Sequence, residues 1–132
     1  MIRAAFFLTA IALALASVDL AHKTVSDASY FHSRGIVYVL VVLVFAAVWT
    51  VAILATRSLS IAMGGGVLAG GALGNLTSLA LWPGVPNPIV LEPVAFNLAD
   101  IFVLSGFLLT ACATLIYAAR NRERLSQPVQ LR

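Results

Sequence analysis

Four apolar stretches leave this 132-residue chain little choice of solvent. They cover residues 4–21, 36–55, 58–82 and 94–119. The second and third hold no charged residue, the first holds only Asp19 and the fourth only Asp100. A helix needs about 20 apolar residues to cross a ~30 Å hydrocarbon core. With 61% hydrophobic residues, 10% charged residues and a mean hydropathy of +1.02, a chain this short has too little interior to hide its apolar surface from water. The Val-rich second stretch has strand propensity. Twenty apolar residues in succession still favour a helix, which satisfies its own backbone in lipid. The predicted fold is an all-α membrane protein, a four-helix transmembrane bundle forming one domain over residues 1–120. A basic tail follows over 121–132.

The cations set the expected orientation. Arg3 precedes the first stretch, Arg57 separates the second from the third, and Arg120, Arg122, Arg124 and Arg132 follow the fourth. The connection from Pro83 to Pro93 has no Lys or Arg, although Lys23 and Arg34 in the first connection weaken the asymmetry. Excess Arg marks the cytoplasmic side, so both termini are expected there. A rival reading of the first stretch is a cleavable secretory signal, with Arg3 before an apolar run and small residues at Ala14, Ala16 and Ser17. The net charge of +3 is gathered at helix ends and forms no aromatic-interleaved stripe, so nucleic acid is not an expected partner. Membrane lipid is. Cys112 is the only cysteine, and neither His22 nor His32 has metal-ligand spacing, so no metal or cofactor is implied.

The polar residues within the apolar stretches are not scattered. With four spans threaded in order, Asp19 falls at the outer end of the first and Asn75 near the outer end of the third. Asn87 and Glu92 fall in the outer loop, and Asn97 and Asp100 in the first turns of the fourth. Amides and acids at membrane depth need a partner or a purpose, so they are expected to line a polar pocket at the outer face. Gly66, Gly70 and Gly74 recur every four residues on one helical face, a spacing that lets backbones approach closely in lipid. Gly71 and Gly74, next to Asn75, also offer bare backbone beside the pocket where a substrate chain would fit. Trp82 reads as an interfacial anchor and Trp49 as packing or lipid contact.

Gly70-Gly71-Ala72-Leu73-Gly74-Asn75, followed by Phe96-Asn97-Leu98-Ala99-Asp100, resembles signal peptidase II, the lipoprotein signal peptidase family. Asp19-Leu20-Ala21-His22-Lys23 is similar to the Asp-x-x-x-Lys motif at the end of that family's first helix. The resemblance implies a four-helix aspartic endopeptidase of the bacterial cytoplasmic membrane. Its site lies at the outer face and its substrate is the signal peptide of a diacylglyceryl-modified prolipoprotein. It assigns Asp100 to one catalytic aspartate and supporting or substrate-binding roles to Asp19, Lys23, Gly71, Gly74, Asn75 and Asn97. The chain departs from the pattern at several points. Val85-Pro86-Asn87-Pro88 puts Asn87 where the first catalytic aspartate belongs, and Ser78 and Leu79 stand where the family has Asp-Arg. Ser33-Arg34-Gly35-Ile36-Val37-Tyr38 keeps only a Gly and an aromatic of a further motif. The short first loop implies that the family's small extracellular sheet is reduced or absent.

An aspartic peptidase needs two carboxylates around one water, one ionised to take its proton and one protonated to polarise the carbonyl. Asn87 exchanges no proton at neutral pH. Two substitutes are at hand: Glu92, eight residues before Asp100, and Asp19. The resemblance therefore leaves two readings. One is a divergent peptidase with a replacement acid. The other is an inactive relative that binds lipoprotein precursors or membrane partners. A small transporter or channel subunit is a third possibility, but ionisable groups gathered at one face, away from the midplane, speak against it.

Overall fold

The computed structural model describes residues 1–28 and 30–122, so most of the expected basic tail, with Arg124 and Arg132, lies outside the described residues. The chain is mostly helical. Helices α1 (Ile2–Val25), α2 (Ile36–Thr56), α3 (Leu59–Leu81) and α4 (Leu98–Arg120) are each long and apolar enough to cross a membrane. Short strands join them: β1 (Tyr30–His32) between α1 and α2, then β2 (Val85–Asn87), β3 (Ile89–Leu91) and β4 (Val94–Phe96) between α3 and α4.

Helix α3 is the hub. Its glycines are spent on close approach to its three neighbours. A Cβ on Gly66 would lie 2.8 Å from the Leu8 carbonyl oxygen, and one on Gly70 would lie 2.8 Å from Leu15 Cβ, so this row seats α1. A Cβ on Gly64 would lie 2.8 Å from Thr110 N, and one on Gly71 would overlap the Ala99 carbonyl, so this row seats α4. Gly65 receives the Ile53 side chain of α2. On the other side of the α3–α4 contact, a Cβ on Gly106 would overlap the backbone of Leu68. Backbone cannot turn aside as a side chain does. Gly106→Ala is therefore expected to cost about 1–3 kcal/mol as an overpacked contact, read as a lower unfolding midpoint in detergent. An unchanged midpoint would mean that the two backbones have room to spare.

The apolar core lies at one end of the bundle, where Ala4, Leu8, Ile53, Ile61 and Ala62 meet. Arg3, Arg57 and Arg120 belong to that end, at the start of α1, the α2–α3 turn and the last residue of α4. At the opposite end α2 stands away from α3 and α4. Ile53 is its only buried residue. The rest of α2 turns Val37, Leu40, Val41, Val44 and Val48 outward, an apolar surface suited to lipid contact.

Three expectations need correction. The fourth helix was expected from residue 94, but Val94–Phe96 is strand and Asn97 is the N-cap of α4. Apolar side chains at 94–96 extended the hydrophobic run, while Asn97 followed three residues later by Asp100 forms the capping box that starts the helix. Neither Asn97 nor the strand before it lies in a helical turn. The first helix continues past residue 21 to Val25, which brings Lys23 onto the same helical face as Asp19. The all-α expectation holds only in part, because short strands are present: β1 pairs antiparallel with β2, and β3 with β4, as two separate two-stranded sheets.

Candidate functional site

The end of the bundle opposite the apolar core holds a continuous polar network built from the ends of α1, α3 and α4 and from strands β1 and β2. It starts on α1. Asp19 and Lys23 are four residues apart and both buried, with Lys23 Nζ 2.6 Å from Asp19 Oδ2. Lys23 Nζ also donates to Asn75 Oδ1 at 2.8 Å and to Ser78 Oγ at 3.0 Å, so its three protons have three acceptors. Ser78 donates onward to the Gly74 carbonyl. Asp19 uses its other oxygen to accept from Ala99 N at 2.9 Å, a free N–H in the first turn of α4. Gly74 makes this possible, because a Cβ there would lie 2.6 Å from Asp19 Oδ2.

Asn75 links this buried pair to Asp100. Its oxygen is held by Lys23, so its Nδ2 faces Asp100 Oδ1, at 3.0 Å. Asp100 Oδ2 accepts from Asn97 N, and Asn97 Oδ1 accepts from Asp100 N, both at 3.1 Å. This capping box fixes the orientation of the next amide. With its oxygen committed to the cap, Asn97 must point Nδ2 at Asn87 Oδ1 (2.7 Å) and the Pro86 carbonyl (3.3 Å). Asn87 must in turn point Nδ2 at His32 Nδ1 (2.9 Å) and the Ala95 carbonyl (3.4 Å). The relay therefore runs from Asp19 through Lys23, Asn75, Asp100, Asn97 and Asn87 to His32. His32 Nδ1 stands as the acceptor at its end, because the Asn87 Nδ2 facing it can only donate.

Two spaces meet at this network. A polar chamber of about 300 Å³ is lined by His32, Arg34, Tyr38, Asn75, Asn87, Asn97 and Asp100. An apolar groove of about 460 Å³ runs from it between α2 and α4, floored by α3. Tyr38, Val41, Val42 and Phe45 line one wall, and Val103, Leu104 and Phe107 the other. Both sets have the three- and four-residue spacing of a single helical face. Tyr38, Asn75 and Asp100 line both spaces, and they mark the mouth where the groove opens into the chamber.

The candidate residues divide accordingly. Asp100, Asn87, Asn75 and Asn97 share the chamber. Asp19 and Lys23 stand behind it, fully engaged with each other and with α3 and α4. Gly71 and Gly74 do not offer open backbone to a substrate chain, because the backbone of α4 and the Asp19 carboxylate fill the space beside them. Glu92 sits in the two-residue connection between β3 and β4 and lines a different cavity, with Tyr30, Phe31 and His32. His32 and Arg34 were not singled out by sequence reasoning. His32 reaches Asn87 only because β1 pairs with β2, placing Tyr30 opposite Asn87 and His32 opposite Val85. Three-residue strands give almost no periodic signal in the sequence. No family model, curated protein or solved structure matches this chain.

Proposed function

We propose that this protein is a signal peptidase II-like protein of the bacterial cytoplasmic membrane that holds lipidated lipoprotein segments without the two-carboxylate machinery to cut them. The observation that carries the reading is the carboxylate inventory of the chamber. Among the described residues, Asp100 is the only acid lining it. Asp19 is bound to Lys23 and Ala99 N, and Glu92 faces another cavity. Asn87 holds the opposite position with both ends of its amide bonded. His32 is no substitute base toward the chamber through Nδ1, because the Asn87 amide N–H occupies that nitrogen.

The placement of the binding features supports the rest. A membrane-embedded apolar groove suits acyl chains or an apolar helix, and amides at its mouth suit a peptide backbone. Arg3, Arg57 and Arg120 belong to the opposite end, which the positive-inside rule assigns to the cytoplasm. The chamber then faces outward, both termini lie inside, and the chain crosses four times.

The test is a photoreactive amino acid at Leu104, on the groove wall, with the protein reconstituted in lipid alongside a diacylglyceryl-modified precursor. The expected result is a crosslink to the precursor and no cleavage. Cleavage by the wild type that disappears in Asp100→Asn would make the protein a peptidase. Absence of any crosslink would remove the groove as the binding site.

A further inference from the structure

Among the described residues, no cation is in ion-pair contact with Asp100. Lys23 and Asp19 cancel each other, and all three Lys23 protons are already directed to Asp19, Asn75 and Ser78. Asp100 receives hydrogen bonds only from neutral groups, the Asn75 amide and the Asn97 backbone N–H. Among the described residues, Lys23 with Asp19 is the one ion pair within 4.0 Å. Arg34 lines the same chamber but stacks its guanidinium over the Tyr38 ring, 5.0 Å from the centroid. A carboxylate without a cation in direct contact at the mouth of a lipid-facing groove is costly, and a ligand cation would relieve it.

Resting on the function proposed above, we infer that the preferred ligand is a lipid-modified segment with a free amino terminus, the processed end of a lipoprotein in place of its uncut precursor. The order of features along the site argues for it. Asp100 belongs to both the groove and the chamber, whereas Arg34 lines only the chamber. The ligand's cation therefore sits next to its apolar part, and any anion or carbonyl lies farther along, toward Arg34. In an aminophospholipid the order is reversed, with the phosphate between the acyl chains and the amine. Its phosphate would fall against Asp100 and its ammonium would approach Arg34. A lipidated amino-terminal residue has the right order. Its ammonium lies beside the lipid, and its backbone then runs past Asn75, Asn97 and Asn87. In the precursor the same nitrogen is a neutral amide with no charge to offer Asp100. A peptide-bond hydrolysis must therefore come first and supply the ligand.

The experiment is an equilibrium binding titration on the full chain in detergent micelles. Four probes are used: a diacylglyceryl-cysteinyl peptide with a free α-amine, the same peptide acetylated on that amine, a precursor peptide with the same lipid, and phosphatidylethanolamine. Wild type should bind the free amine at least about tenfold more tightly than the acetylated or precursor peptide, the scale of one charge-assisted hydrogen bond. In Asp100→Asn the preference should vanish, since Asn carries no charge and keeps an acceptor for only one of the two donors, Asn75 Nδ2 or Asn97 N. Equal binding of all three peptides by wild type would overturn this inference and leave the precursor-binding function standing. Phosphatidylethanolamine binding as tightly as the free-amine peptide would overturn it in favour of a lipid ligand. Failure of every lipopeptide to bind would overturn both. Should Asp100→Asn not fold, the free and acetylated probes on the wild type decide alone.

Discussion

Asn87→Asp is expected to create peptide-cleaving activity in a protein that otherwise has none. Asn87 is buried, 3% exposed, and one amide away from Asp100, because Asn97 bonds to both. An Asp at 87 keeps the acceptor that Asn97 Nδ2 now reaches. Its second oxygen replaces the amide nitrogen that faces His32 Nδ1 at 2.9 Å and the Ala95 carbonyl at 3.4 Å. An ionised oxygen there would meet lone pairs on both sides, so a proton belongs at that end or on His32. Asp100 faces a different set of partners, accepting from Asn75 Nδ2 and from Asn97 N. Two carboxyl groups in unlike environments provide the acid and the base that the chemistry needs. General acid–base help is worth about 100- to 10,000-fold, so turnover of a lipidated precursor should exceed wild type by at least about 100-fold in a gel-shift assay. A folded but silent Asn87→Asp would mean that the site lacks more than a carboxylate, and Ser78 and Leu79 would be the next positions to restore.

Lys23→Met is expected to have the largest effect on stability. The substitution keeps the length and the apolar stem of the side chain and deletes three hydrogen bonds at once. Asp19 would be left fully buried with one oxygen unpaired. Removing one partner of a buried ion pair costs about 3–5 kcal/mol. Adding Asp19→Asn to Lys23→Met removes the stranded charge and should recover a large part of that loss, which a double-mutant cycle in unfolding measurements would detect. A cost below about 1 kcal/mol for the single change would mean that water already satisfies Asp19. The same variant also frees Asn75 Oδ1, so the amide that orients Asp100 loses its anchor.

Both results depend on features that differ in how visible they are in the sequence. Asp19 and Lys23 are readable as a pair because helical periodicity puts residues four apart on one face. The convergence of Asp19, Asn75, Asn97 and Asp100 on one end follows from counting spans, because a helix rising ~1.5 Å per residue fixes depth in the bilayer. The contact of His32 with Asn87 follows from neither rule. It spans 55 residues and depends on the pairing of two three-residue strands. Glu92 looked close to Asp100 by sequence distance, yet the β3–β4 hairpin directs it to another cavity. The glycines were legible as packing positions. Which neighbour each one seats was not, because that depends on how three helices are arranged around α3.

By itself the sequence determined the number of helices, their approximate limits, the chain's preference for lipid and the end at which polar groups collect. These are consequences of local composition and helical rise. Only the tertiary structure decided how each polar atom is spent. It committed Lys23 and Asp19 to each other, oriented Asn75 through Lys23 and Asn97 and Asn87 through the capping box, and left Asp100 as the one carboxylate on the chamber among the described residues. The physical reason is that hydrogen-bond partners are chosen by proximity in space. Here proximity is created by helix packing at glycine contacts and by strand register, neither of which has a period in the sequence.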